Sequence, residues 1–328
     1  MNSRQRFQAV MSFNKPDRVP YFEEGIREEV LLAWRAQGLS PQADLAEMFH
    51  TDQREEIDLD LWPRPEPPRW PVSQTDLGDF RRRLDPDDPA RWPVDWQDRV
   101  GAWRDRSHVL MLRLHDGFFL TMGVGDWERF YEVMHLVKDD PVFVRNLLDV
   151  HAEFNTRLAE RVLNEVQVDA VIFSEPIGGM HGPLIAPWTY QELVLASYQP
   201  LFQLIQKHAI QTVILRTYAN ARVLIPILLK AGVNCLWACE CETGAMDYHA
   251  IRKEFGRDLR LVGGIDLDAL RYGKESIRRE VLEQVPPLLE SGGYIPLADG
   301  RVRPDVPLAD YIFYRRLLEQ VASQTGDT

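Results

Sequence analysis

Arg216, Tyr218, Glu240, Cys241 and Glu175 are the side chains of this sequence whose types and spacing point to chemistry, because each closely follows a β-rich apolar run. The segment from Val213 to Asp247 reads VILRTYANARVLIPILLKAGVNCLWACECETGAMD. One run, Thr212 to Leu215, ends on Arg216-Thr217-Tyr218, and a second, Val233 to Ala238, ends on Cys239-Glu240-Cys241. Between them lies an apolar helical stretch, Arg222 to Lys230, closed by Ala231-Gly232. Such a βαβ unit puts its polar residues at the carboxyl ends of its strands, where parallel α/β proteins assemble ligand sites. An arginine directly after Val-Ile-Leu is costly to bury unless it meets a carboxylate or an anionic ligand. Glu175, which follows Ala170 to Ser174, is the expected partner, either structurally or through a ligand.

The same position after other apolar runs is held by Glu23, Glu24 and Arg27, by His115 and Asp116, by Asp266, and by Asp299, Arg301 and Arg303. His181 lies in a glycine-rich loop, SEPIGGMHGPLIAP, where it can face a substrate or simply bond a backbone carbonyl. Cys235, Cys239 and Cys241 share parity, so an extended strand turns all three to one face. No partner pair at zinc-site spacing accompanies them, so zinc is not expected and Cys235 reads as core.

The elements that position these residues alternate. Helices are expected at 3 to 12, 25 to 37, about 126 to 136, 141 to 166, 187 to 208, 247 to 255, 274 to 290 and 307 to 322. Strands are expected at Arg18 to Phe22, Val109 to Leu114, Ala170 to Ser174, 212 to 215, 233 to 238, 260 to 264 and 293 to 297. Seven strands in regular βα alternation imply a (β/α)8 TIM barrel, α/β in class, with the missing strand in the irregular 54 to 100 region. That region is rich in proline and tryptophan and has no sustained period; residues 58 to 100 read as an insertion within a single domain spanning 1–328. An open doubly wound sheet is the alternative. No G-x-G-x-x-G follows an early strand, and no phosphate-loop motif occurs.

A formal charge of −12, from 38 basic and 50 acidic residues, argues against non-specific binding to nucleic acid or anionic membrane. A small-molecule substrate is the expected partner. Three cysteines without a disulfide framework, and a start lacking an apolar signal core, lead to an expected cytoplasmic location.

Several stretches together resemble the uroporphyrinogen decarboxylase superfamily: SRQRFQAVMSFNKPDRVPYFE, GPLIAPWTYQELVLASYQPLFQLIQKH, IPILLKAGVN, LVGGID and GGYIPLADGRVRPDVPLADY. The resemblance implies a (β/α)8 barrel and one of two chemistries, cofactor-free decarboxylation or methyl transfer to or from a corrinoid, often with a zinc-activated thiol. Two departures bear on the choice. The decarboxylases carry an arginine-rich M-R-Q-A-G-R element where this chain has YFEEGIREEV, leaving Arg27 to bind carboxylates and Glu24 to repel a polyanion. The thiol-activating methyltransferases carry H-x-C-G-N where this chain has Arg216-Thr217-Tyr218-Ala219-Asn220, so both metal ligands are lost and Asn220 is kept. The resemblance therefore implies a divergent, methyltransferase-like enzyme, moving a methyl group between a small substrate and a corrinoid carried by a partner protein. It would hold no tight cofactor of its own. Arg216 would hold an anionic oxygen, and Glu175, His181 or Tyr218 would act as acid or base. Glu24, Arg27, His115, Asn220, Glu240, Cys241, Asp266, Asp299 and Arg301 would complete substrate binding. The alternatives are a decarboxylase of uroporphyrinogen or another carboxylate, using Arg27, Arg216 and Arg301 as clamps, and a non-catalytic barrel binding a corrinoid or tetrapyrrole.

Overall fold

The computed structural model describes residues 1–239 and 245–323. Among them, seven parallel strands form one sheet in sequential order: β1 (Arg54–Asp58), β2 (Val109–His115), β3 (Ala170–Glu175), β4 (Val213–Tyr218), β5 (Cys235–Cys239), β6 (Arg260–Ile265) and β7 (Tyr294–Ala298). Helices connect most neighbours, including Pro141–Glu165 before β3, Gln199–Lys207 before β4 and Lys274–Ser291 before β7. The sheet curls into a half-barrel, so the fold is α/β and TIM-barrel-like. Strands β2, β3, β5 and β7 are almost wholly buried, as expected of a parallel sheet covered on its outer face by helices.

The expected strand Arg18 to Phe22 does not form. That run stays outside the sheet: Pro20 has no N–H to give a ladder, and Tyr21 instead exchanges two bonds with Asp52. Its nitrogen reaches Asp52 Oδ2 at 2.9 Å and its carbonyl accepts from the Asp52 nitrogen at 2.9 Å. The continuing chain meets β1 and the loop after β7: Arg54 donates to the Glu23 carbonyl at 3.0 Å, and Arg301 Nε to the Glu24 carbonyl at 3.2 Å. The strand absent from the expected set is β1, at the start of the irregular region. Its sequence, Arg-Glu-Glu-Ile-Asp, conceals it. The readable signal is the alternation of Ile57, Leu59 and Leu61, all buried, while Arg54, Glu56 and Asp58 turn to the bore.

The stretch after β1 packs onto the same apolar core as the strands, through Phe80, Leu84, Trp96 and Val100. Buried Arg91 ties it together by donating to the carbonyls of Asp60, Trp62, Arg83 and Asp85.

The amino-terminal faces of the strands are covered by helix Ser3–Met11, which begins in a reciprocal cap between Asn2 and Gln5 and buries Phe7, Val10 and Met11. Asp169, just before β3, fastens this helix. Its carboxylate receives Arg4 Nε at 2.7 Å, Gln8 at 3.0 Å, Arg106 at 2.9 Å and the Leu110 nitrogen at 3.0 Å. Because Arg106 and Asp169 are both buried, removing the carboxylate strands a cation and several donors. Asp169→Ala is expected to lower unfolding free energy by about 3–5 kcal/mol in a denaturant titration, and a loss near that of an exposed ion pair would refute this role.

Candidate functional site

At the carboxyl ends of the strands a cavity of about 580 Å³ opens inside the curl, lined by Glu24, Arg27, Arg54, Glu56, Asp58, Arg113, Ser174, Arg216, Tyr218, Cys239, Gly300 and Arg301. Strand parity decides the membership. Arg216 is level with Ser174 on β3 and with Trp237 on β5, and Tyr218 is level with Cys239, so these side chains share the inner face. Glu175 is level with Thr217 and faces the helix layer instead.

The expected pairing of Arg216 with Glu175 is therefore replaced by another. Arg216 donates two parallel bonds to Glu56, Nη1 to Oε2 at 2.9 Å and Nη2 to Oε1 at 2.8 Å. Burial by itself pushes the Glu56 carboxyl up, but the Arg216 bonds and the charges of Arg216, Arg54 and Arg113 outweigh it and leave the group below its ordinary value. Burial likewise opposes the Arg216 charge, and the Glu56 bonds raise its proton affinity overall. Arg54 stands over the Trp237 ring at 4.9 Å and Arg216 at 5.7 Å, making that indole the floor beneath both cations. Arg113 pairs with Asp58 from within the bore and with Asp116, at 2.9 Å, from behind it.

Three groups of the mouth are less fully engaged. Arg27 has one ion-pair partner among the described residues, Glu29 at 3.7 Å, with both side chains about half exposed. Arg301 makes no ion pair there and gives its Nε to a backbone carbonyl. Glu24 keeps Oε2 at 3.6 Å from Arg54, while its Oε1 is buried with no hydrogen-bond partner among the described residues. Burial raises the Glu24 carboxyl above its ordinary value despite the opposing charges of Arg54 and Arg216.

The mouth thus brings together Glu24, Arg27, Arg216, Tyr218 and Arg301 of the expected residues. The others stand apart. Glu175 is fully enclosed behind β3, accepting from the Phe118 nitrogen at 2.8 Å, Tyr198 Oη at 2.8 Å and Tyr190 Oη at 3.1 Å. His115 is also behind the sheet, its Nδ1 accepting from the Gly117 nitrogen and its ring 4.3 Å from that of Tyr198; burial pushes its pKa down to about 3. Gly117 has φ +91, and a Cβ there would lie 2.6 Å from the Ser174 carbonyl oxygen and 2.8 Å from Glu175 Oε1, so this close approach requires glycine.

His181 is exposed at the turn of a two-residue antiparallel pair, Gly178–Gly179 with Gly182–Pro183. The Asn220 nitrogen bonds the Gly179 carbonyl at 3.1 Å, and Asn220 Oδ1 accepts from the Arg222 nitrogen at 3.2 Å, which gives Asn220 a loop-tethering role. Asp266 and Asp299 line a separate cavity of about 230 Å³ with Tyr248 and Glu280. Arg303 pairs with Asp268 at 3.0 Å. Cys235 and Cys239 are both buried, and burial drives the Cys235 thiol up to about 12; Glu240 and Cys241 lie outside the described residues. Sequence reasoning missed Arg54, Glu56, Asp58 and Arg113, charged residues inside strands rather than after them.

No known family profile matches the chain, and no curated relative does. Two solved structures share its course at low similarity. Xylanase B from Clostridium stercorarium F9 has a TM-score of 0.41 and 13% identity, over 85% of this chain and 88% of that one. A phosphonopyruvate hydrolase complex with oxalate and Mg++ has a TM-score of 0.30 and 11% identity, over 91% of this chain and 81% of that one.

Two outcomes follow from this geometry. Burial lifts the Glu175 carboxyl from 4.5 to about 7. Because that raised value belongs to the folded state, stability falls as pH rises from about 4.5 to 7, where the unfolded chain has released the proton and the folded chain retains it; above pH 7 the slope vanishes. The integrated effect is about 3 kcal/mol, and Glu175→Gln should remove it, read as a flatter unfolding free energy across that window than in the parent. Arg216→Met should strand Glu56 and cost about 3–5 kcal/mol, whereas Arg216→Met with Glu56→Leu should recover most of it. If the double variant is no more stable than the single one, the pair is not the interaction that matters.

Proposed function

We propose that the protein is an enzyme that binds a small carboxylate-bearing substrate in this mouth and removes carbon dioxide from it, with protonation of the carbon left behind. The observation that carries the reading is the charge distribution. Five guanidinium groups meet three carboxylates along the cavity, and the two arginines nearest solvent, Arg27 and Arg301, lack buried counter-ions among the described residues. A chain with a formal charge of −12 has thus concentrated positive charge where an anion would enter. Arg27 and Arg301 hold the incoming carboxylate, while Arg54, Arg113 and Arg216 stay fixed by Glu56, Asp58 and Asp116 and set the potential beneath it.

Glu24 is the proton donor in this scheme. The bond from the substrate carbon to its carboxylate breaks, carbon dioxide departs, and the electron pair stays on carbon and takes the Glu24 proton, which solvent then replaces. The substrate needs a carbonyl, imine or protonated heteroaromatic ring beside that carbon to hold the electron pair. A buried carboxyl with raised proton affinity suits such a donor. The run through Glu24, which meets β1 on one side and the loop after β7 on the other, is proposed as the eighth stave that closes the barrel.

Methyl transfer to or from a corrinoid on a partner protein is a second reading, favoured by Tyr218 and Cys239, which stand at one level of the inner face. It gains less from the geometry, because Glu175 and His181 do not line the mouth.

Calorimetric titration with malonate, succinate and citrate tests the carboxylate reading. Binding of at least one is expected, weakened about tenfold or more in Arg301→Met and in Arg27→Met with the fold intact. Because a protonated Glu24 no longer repels an anion, affinity should increase as pH falls through its raised pKa, and Glu24→Gln should flatten that dependence. Equal affinity in both arginine variants defeats the carboxylate reading. Demethylation of methylcobalamin, followed by absorbance with no carboxylate bound, would favour the second.

A further inference from the structure

Behind the mouth, between the start of the irregular region and helix Pro141–Glu165, lies a cavity of about 10 Å³ lined by Leu61, Trp62, Trp70, Asp116, Leu120, Thr121, His151 and Asn155. Among the described residues, two of these bring a buried polar atom that has no hydrogen-bond partner, His151 Nε2 and Asn155 Oδ1, and Asp116 brings a third, Oδ1, whose one contact is the ion pair with Arg113 and which makes no hydrogen bond. Their residues are 3%, 2% and 8% exposed, so bulk solvent does not serve those atoms. His151 and Asn155 are one helical turn apart and share a face, while Asp116 approaches from the loop after β2. A buried polar atom left unpaired costs about 1–3 kcal/mol, so two of them lining one void beside a carboxylate oxygen with spare acceptor capacity call for an occupant.

We infer that this cavity is a binding site for a single water molecule, held by Asp116, His151 and Asn155, which connects helix Pro141–Glu165 to the mouth through Asp116 and Arg113. The size agrees, since a void of about 10–15 Å³ on this measure admits one water. So does the valence. Water offers two hydrogens and a lone pair; the site offers two acceptors, the Asp116 carboxylate oxygen and the Asn155 amide oxygen, and one donor, Nε2–H of His151. Burial supports the neutral ring that this requires, holding the His151 pKa down to about 3. Trp70, stacked on that ring with centroids 6.2 Å apart, closes one side and limits room for anything larger.

The water has a consequence for the mouth. Asp116 Oδ1 lies 2.9 Å from Arg113 Nη1, and Arg113 lines the substrate cavity. A donor that shares this oxygen with Arg113 favours the charged form of the carboxylate and fixes its plane, and through it the Arg113 guanidinium. Asn155 and His151 are thus positioning residues for a mouth cation they do not touch. This inference does not depend on what the mouth binds.

A crystal structure at a resolution that orders internal waters is the direct test, paired with Asn155→Leu, which keeps the volume and removes the amide oxygen. Expected in the parent is one fully occupied water about 2.7–3.2 Å from all three atoms, with a water-to-His151 nuclear Overhauser effect in solution signed for a slowly exchanging molecule. Expected in the variant is loss of both signals, with unchanged circular dichroism and a displaced or disordered Arg113 guanidinium. An empty void, direct bonding among the three side chains, or a water that persists without Asn155 would overturn the inference. Arg113 unmoved after the water is lost would overturn its positioning role.

Discussion

The ion pair between Arg216 and Glu56 is the constraint on which the mouth depends, because it joins β4 to β1 across the bore. Those strands are three sheet positions apart, about 14 Å in a flat sheet, so a bidentate bond at 2.8–2.9 Å needs the sheet to curl toward itself. Once formed, the pair governs its neighbours. Arg54 can approach Glu56 only to 3.9 Å and turns its other contacts to Glu24 and the Glu23 carbonyl. That draws the run before Glu24 against β1. Two desolvated charges are a poor source of net stability, yet each is costly to abandon, and this asymmetry makes the pair a selector of one sheet geometry.

Most of the fold was legible because its signals are apolar and periodic. Val109 to Leu114, Ala170 to Ser174 and the strand near 260 to 264 are continuous hydrophobic or glycine-bearing runs, and the long helices announce themselves by period. The strand β1 was not legible by that rule, since four of its five residues are charged. A strand whose inner face lines a polar bore and whose outer face carries one isoleucine offers half the usual pattern. Conversely, Arg18 to Phe22 has strand-like residues but sits where Asp52, through its carboxylate and its own backbone N–H, takes the Tyr21 backbone bonds a neighbouring strand would have offered.

For the site, sequence order identified the right end of the strands but not the right face. Glu175 and Arg216 both close apolar runs, and a one-residue difference in phase sends one to the helix layer and the other to the bore. Phase between strands is set by sheet register, which no single strand's sequence contains. The residues missed, Arg54, Glu56, Asp58 and Arg113, follow from the same limit. Charges within a strand are ordinarily read as solvent-facing, and here they are inward because the upper bore is polar.

The segment YFEEGIREEV therefore changes meaning in the structure. Read alone, its four acids beside one arginine signal weak affinity for carboxylates. In three dimensions Arg27 is joined by cations from elsewhere: Arg54 and Arg113 from strand interiors, Arg216 from β4 and Arg301 from the loop after β7. The loop residue Glu24 then meets two of these guanidiniums rather than bare solvent, with burial raising its proton affinity against their pull. A carboxyl set among arginines is a different instrument from one more arginine. It can exchange a proton with whatever the surrounding cations hold, whereas a guanidinium at the same point could only bind. On the reading proposed above, Arg27 of this loop and Arg301 take the incoming anion while the strand arginines set the potential beneath it, so one loop carries both an anion-binding group and, in Glu24, the acid–base group.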